Sequence, residues 1–477
     1  MTSHRIDRRQ AMLGATALAA GAMLPDFAFG SAAVRTFALN PGPARRNLAG
    51  AGFPDTDVWA YDGRVPGPTI RLKQGAPAKI LVKNGLAEPT TVHWHGVRLP
   101  NAMDGVPHLT QAPIEPGGVF AYEFTPPDAG TYWYHSHFNS AEQIGRGLYG
   151  PLIVEEPDPP GTDREWIWVL DDWRLGKDGT IAANFANSMD QSHAGRLGNT
   201  VTINGERPET VAVRAGERIR LRLINAANAR VFGLEFGPLA PVVIARDGHP
   251  VDPQTAESGR IVIAPAQRVD LILDMTGKPG DRVEIADAYY GQNRRFSVVA
   301  LAYGPEPLRQ RPLDPPRRLT ANPLPEPDLK NAARHKVILD GGMHARMESA
   351  VLDGKPLDLR TLFRAGKMWA INGQVAGTDH SRHGPAFVTA TRGQTVVLAI
   401  ENHSIWEHPM HLHGFAFRVL SQNGEAVPGR PWLDTVLIGP EGKTEVAFVA
   451  DTSGDWLFHC HVLEHHLAGM GAVLRVD

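Results

Sequence analysis

Hydrophobic residues in this chain come in short runs closed by turn signals. Ile80-Leu81-Val82-Lys83 ends at Asn84, Leu221-Arg222-Leu223-Ile224 at Asn225, and Leu398-Ala399-Ile400-Glu401 at Asn402. Each asparagine follows a glycine by nine residues (Gly75, Gly216, Gly393), and further upstream stand Asp62-Gly63, Asn204-Gly205 and Asn372-Gly373. Every unit thus reads turn, strand, glycine turn, strand, with β-branched residues between the turns. Repetition at this spacing implies three related domains rather than a solenoid. Elsewhere the chain reads as short strands punctuated by 49 Gly and 39 Pro, and long amphipathic helical patterns are scarce. The expected fold class is all-β, with Greek-key β-sandwich domains. The proline-rich stretch 303–334 reads as an extended connector before the third unit.

Aligning the units locates the chemistry. Nine residues after Asn84 comes HWHG (93–96), nine after Asn402 comes HLHG (411–414), and nine after Asn225 comes LEFG (234–237). Near the end of each unit stand GTYWYHSH (130–137), GDWLFHCH (454–461) and GDRVEIAD (280–287). The first and third units therefore carry histidines where the second has Leu234 and Phe236. Ser136 occupies the place that Cys460, the single cysteine, holds in the third unit.

Four His-x-His pairs result: 93/95, 135/137, 411/413 and 459/461. On a strand, residues two apart face the same side, about 7 Å apart, so one pair can feed two neighbouring metal ions. Eight imidazoles suffice for three ions, and imidazole suits copper, zinc, iron and nickel. A lone His-x-His is more often a polar sheet face, but four at homologous positions in two of three repeats are a ligand set. A second set comprises His408, Cys460, His465 and Met470. Two imidazoles, a thiolate and a weak thioether make a blue-copper electron-transfer site. Cys460 lies between His459 and His461 but faces the other side of the strand. One strand can thus join a mononuclear copper to a cluster. Four coppers match the four-electron reduction of dioxygen to water. The cluster is expected between the first and third units, with the second unit a spacer that has lost its ligands.

At HWHG, YHSH, HPMHLHG and HCHVLEHHLAGM the chain resembles the multicopper oxidases, a group that includes laccases, ascorbate oxidases and bacterial cuprous oxidases. The resemblance spans the chain after its N-terminal segment and implies three cupredoxin-like domains. It implies type 1 copper on His408, Cys460, His465 and Met470, and type 2 copper on His93 and His411. The type 3 pair falls to His95, His135, His137, His413, His459 and His461. Cys460 and His465 would then be catalytic in electron transfer. Asp104 matches an acidic residue that the family uses to supply protons near the cluster. Read by itself it is an Asp-Gly turn residue, and both readings stand. The chain departs from many bacterial members at His466, where they carry a glutamate that assists proton delivery. Glu464 is a weaker candidate for that task and reads as a structural or rim residue.

Electrons are expected to enter at the exposed edge of His408 or His465. Met343, Met347 and Met368 are too scattered to suggest a copper relay, whereas Trp406, within Ser404-Ile405-Trp406-Glu407, could line an approach for an aromatic donor. The expected donor is therefore a phenol or aromatic amine, as for a laccase, with O2 as acceptor. The alternatives are a periplasmic cuprous oxidase taking Cu(I) in copper tolerance, or a copper-binding protein with little turnover. Copper nitrite reductase is a weaker rival, since four His-x-His pairs exceed what its catalytic copper needs.

Composition changes this picture little. The chain has 477 residues and a net charge of −3, which suggests neither a nucleic-acid partner nor an anionic membrane surface. A monomer is expected. Arg8-Arg9, an apolar run from Ala11 to Leu24 and small residues at 30–33 read as a twin-arginine export signal, hence a periplasmic or secreted protein. The expected boundaries are 1–33 for the signal, 34–157, 158–302 and 335–477 for the domains, and 303–334 for the linker.

Overall fold

The structure, a computed structural model, describes residues 34–256, 259–311, 313–377 and 383–477. The expected export signal lies outside the described residues.

The three units are built alike, as cupredoxin-like sandwiches. In each, a parallel pair of strands is extended by an antiparallel third. Arg35–Leu39, Ala78–Lys83 and Val119–Phe124 do this in the first unit. Arg164–Trp173, Arg218–Asn225 and Arg268–Asp274 do so in the second, and Ala333–Gly341, Thr395–Asn402 and Lys443–Val449 in the third. The facing sheet holds the strands that bear the motifs: Val92–His95 beside Gly130–Ser136, Phe232–Glu235 beside Arg282–Asp287, and His408–Leu412 beside Gly454–Cys460. One closed apolar cluster fills each sandwich. Another, with Leu48, Trp133, Trp173, Ile224 and Leu463, joins side chains from all three units. The α-helices among the described residues have five or six residues each, in keeping with the scarcity of helical periodicity.

The repeated sequence signals have repeated physical causes. Asp62, Asn204 and Asn372 sit at φ of 51°, 54° and 49°, and each following glycine is also at positive φ. That is the backbone of a tight hairpin turn, which Asp-Gly and Asn-Gly adopt readily. In the second unit, Leu234 and Phe236 are fully buried in the sandwich core, so the ligand positions there have become apolar packing.

The strand Phe296–Tyr303 ends where the connector begins, and the next strand starts at Ala333. The connector is held down by side chains. Asn322 exchanges hydrogen bonds with the backbone of Ala129, and its Nδ2 donates to Nδ1 of buried His249 (3.1 Å). Burial holds His249 neutral, lowering its pKa from 6.5 to about 4. The unfolded chain therefore binds a proton between those values that the folded chain refuses, and stability falls as pH drops from 6.5 to 4. A drop of about 3 kcal/mol is expected from this residue at 1.36 kcal/mol per unit. Thermal melts across that range should show His249→Gln losing less stability towards acid than the parent. Equal slopes would contradict the assignment.

Candidate metal centre

The paired motif strands of the first and third units bring the eight histidines of the His-x-His pairs together. His93 stands opposite His135 in one sheet, and His411 opposite His459 in the other. Across the boundary between units, the His95 and His411 rings stack at 3.7 Å between centroids, and those of His93 and His413 lie 4.0 Å apart. All eight are buried. Ligand atoms converge within 4.8 Å in the groups His93/His411/His413, His93/His95/His135 and His137/His413/His459. His461 closes the chamber, its ring 5.1 Å from His95 and 5.3 Å from His135.

The outer nitrogens of six of these rings are held by acceptors, which fixes the tautomer and aims the other nitrogen inward. Nδ1 of His93 donates to the Asp104 carbonyl (2.8 Å), and Nδ1 of His411 to the Asp434 carbonyl (2.8 Å). His135 and His459 donate from Nδ1 to the carbonyls of Ser136 and Cys460 (2.9 Å each). His413 donates from Nδ1 to Oδ2 of Asp104 (2.9 Å). His95 is turned the other way. Its Nε2 donates to Oδ1 of Asp434 (3.0 Å), leaving Nδ1 to face the chamber.

This arrangement fits copper. Nε2 of His93 and His411, and both ring nitrogens of His137 and His461, are buried without a hydrogen-bond partner, a costly state unless a ligand claims them. Burial first, then neighbouring imidazoles, push His135, His137, His413, His459 and His461 far below the ordinary histidine range. They are neutral, with lone pairs available to a metal.

The second group lies inside the third sandwich. Sγ of Cys460 is 3.6 Å from Nδ1 of His408 and 3.7 Å from Nδ1 of His465, and those two nitrogens are 3.2 Å apart. Met470 is packed in the same cluster and accepts the Cys460 amide at its carbonyl (3.1 Å). The far nitrogens are again occupied. His408 Nε2 bonds to Oγ of Ser404 (2.8 Å), and His465 Nε2 donates to the His193 carbonyl (2.6 Å). Both rings are fully buried. The expected exposed edge is therefore absent, because the His193 carbonyl of the second unit caps His465, Ser404 caps His408, and Trp369 packs on both rings. Trp406 is half-buried and lies 5.2 Å from the His193 ring.

The remaining candidates separate cleanly. Asp104 is buried with its carboxylate against the rings of His93 and His413. Its side chain thus faces the chamber, although its backbone does turn at Asp-Gly. Glu464 is also buried, and accepts from the Arg196 amide (3.0 Å) and Asn228 Nδ2 (2.9 Å), which makes it a tie to the second unit. His466 lies with its ring 4.3 Å from that of His459. Sequence reasoning missed Ser404, His193, Asp434 and Arg268. Asp434 was detectable only as a lone acid among strand formers in Trp432-Leu433-Asp434-Thr435-Val436.

A sandwich pair with a histidine chamber between them and a Cys-His₂ group behind it defines a copper-dependent oxidoreductase. Profiles described as multicopper oxidase match residues 45–159, 164–296 and 355–477, and the chain belongs to the multicopper oxidase family. Its members carry copper at type 1, type 2 and type 3 sites and use O2 as acceptor. The chain is 33% identical to the multicopper oxidase MmcO of Mycobacterium tuberculosis, over 92% of this chain and 86% of that one. It is 26% identical to a copper resistance protein A of Escherichia coli, over 92% of both. Among solved structures it resembles a multi-copper oxidase from Pseudomonas thermotolerans (TM-score 0.81, 31% identity, 94% of this chain and 100% of that one).

Proposed function

We propose that this chain is a laccase-like oxidase that takes electrons one at a time from a phenol or aromatic amine and passes them to dioxygen. In this reading His408, Cys460, His465 and Met470 hold the type 1 copper, and His93 and His411 the type 2 copper. His95, His135, His137, His413, His459 and His461 hold the type 3 pair. Bound copper supplies the one-electron transfers and the reduction of dioxygen to water. Cys460 is peptide-bonded to His459 and His461, so one strand links the two groups through covalent bonds. Asp104 aligns His93 and His413, and its Oδ1 lacks a hydrogen-bond partner. We assign that oxygen the role of holding and passing a proton to the chamber. Arg8-Arg9 and the apolar run after them support export to the periplasm.

The donor reading is carried by one observation. His465 donates to the His193 carbonyl, and the His193 ring lies against Trp406. An aromatic donor resting on that rim is one hydrogen bond from a copper ligand. Tyr289, bonded to Glu407, and Ile405, 47% exposed, extend the rim. A second reading, a cuprous donor, is favoured by Met189 and Met343, which are 62% and 38% exposed. The Met343 amide donates to the Ser192 carbonyl (2.8 Å), beside His193. Met347 and Met368 are buried and take no part. Oxygen uptake should be measured with a simple phenol and with Cu(I), in the parent and in Met189→Leu/Met343→Leu. The laccase-like reading expects phenol-driven uptake that the double variant leaves intact. Uptake with Cu(I) alone, lost in the double variant, would transfer the assignment to the second reading.

A further inference from the structure

The second unit holds no copper-ligand histidine at the homologous positions, yet it is bonded to Asp434, the residue that holds a ring from each of the other two. Arg268, at the start of the strand Arg268–Asp274, is fully buried. Its guanidinium meets Asp434 of the third unit as a fork. Nη1 donates to Oδ1 at 2.9 Å and Nη2 to Oδ2 at 2.5 Å. The other donors are also used, Nε on the Thr131 carbonyl and Nη1 on that of Ala266 (3.2 Å each). Asp247 completes the join from the second unit. Its Oδ1 accepts the Arg268 amide (2.9 Å), and its Oδ2 accepts the amides of Asp434 and Thr435 (3.2 Å each).

Asp434 is where this network reaches the chamber. Its Oδ1 accepts from His95 of the first unit (3.0 Å), and its backbone carbonyl accepts from His411 of the third (2.8 Å). A bidentate arginine fixes both carboxylate oxygens in one plane, so Oδ1 is held where His95 and the Thr435 hydroxyl (2.8 Å) both reach it. Packing leaves no slack. Gly96 of HWHG, at φ 82°, passes so close that a Cβ there would overlap the Arg268 guanidinium and the Asp434 carboxylate. The second unit, which lacks the ligands as expected, also grips the residue that orients two rings of the chamber.

We propose that Arg268, held by Asp247, is a positioning residue that sets the geometry of the type 2 copper and of its neighbour ligand His95. The proposal rests on assigning His93 and His411 to the type 2 ion. Lysine cannot replace the fork, because it offers a single point charge. In copper-loaded Arg268→Lys, the type 2 electron paramagnetic resonance signal should change its hyperfine splitting. Type 2 copper should be stripped at roughly ten- to a hundredfold lower chelator concentration, the usual effect of losing an outer partner of a ligand. The blue type 1 absorption should stay unchanged, since His408 and Cys460 do not touch the network. Asp247→Asn, which keeps the shape, should shift type 2 retention in the same direction but less. His411→Ala serves as control. If it leaves the type 2 signal in place, the ligand assignment fails, independently of this inference. An unchanged type 2 signal and retention in Arg268→Lys would overturn the proposal. So would parallel loss of type 1 and type 2 copper, or failure of both variants to fold, since the network would then only hold the units together.

Discussion

Cys460→Ser is expected to abolish the blue absorption and stop oxygen consumption while the histidine chamber keeps its copper. The thiol is fully buried, and burial pushes its pKa far above the ordinary cysteine range. A thiolate there needs a cation beside it, and in the proposed reading that cation lies between the thiol and the two imidazole nitrogens at 3.6 and 3.7 Å. A serine hydroxyl is harder and far less acidic, so it cannot replace the thiolate towards copper. The fold should survive, since serine differs by one atom and the homologous Ser136 is buried in the first unit. Turnover should fall by more than the roughly hundredfold that losing an outer partner costs, because here a ligand itself is lost. Absorption spectra, paramagnetic resonance and oxygen uptake on the same sample check this. A blue band that survives the substitution would place the type 1 copper elsewhere.

Asn225→Ala should destabilise the protein strongly without touching copper. Asn84, Asn225 and Asn402 make the same three bonds in their three units. Asn225 Nδ2 donates to the carbonyls of Arg230 (2.8 Å) and Ile263 (2.9 Å), and Oδ1 accepts from the Ala227 amide (3.0 Å). Asn84 does this with Glu88, Ile114 and Leu86, and Asn402 with Trp406, Gly439 and Ser404. One side chain thereby ties the end of a core strand to the loop after it and to a distant strand. Alanine strands three backbone groups inside the unit, at about 1–3 kcal/mol each, so a loss of about 3 kcal/mol or more is expected. Denaturant midpoints measure it. The second unit is the place to test it, because there the asparagine precedes Leu234 and Phe236 rather than ligands. A midpoint within error of the parent would mean that water replaces the amide at no cost.

These asparagines explain why so much was legible in the sequence. Repeats expose whatever the fold demands three times over. The strand-ending asparagines follow their glycines by nine residues in all three units, and the pairs 93/95 and 411/413 follow those asparagines by nine in two, so the sandwiches and the chamber could be read from spacing. What stayed hidden belongs to one unit only or joins units. Asp434 and Arg268 stand 166 residues apart in sequence, and no local pattern pairs an acid in one strand with a base in another. The covering of His465 was hidden for the same reason. The segment that ends in His193 lies outside the repeated motifs, so an exposed ligand edge was expected where the second unit lies. Asp104 shows an intermediate case. Its Asp-Gly turn was readable, but the direction of its carboxylate required the neighbouring unit.

The central claim is that electrons taken at the Cys460 site leave as water from the chamber that His459 and His461 help to build. The most direct measurement is the ratio of donor molecules oxidised by one electron to O2 consumed, with peroxide assayed in the same vessel. The account predicts about four donors per O2 and no peroxide, because one-electron steps at a type 1 site must supply a four-electron reduction. A ratio near two with matching peroxide would show that the chamber does not act as one cluster, and would contradict the account.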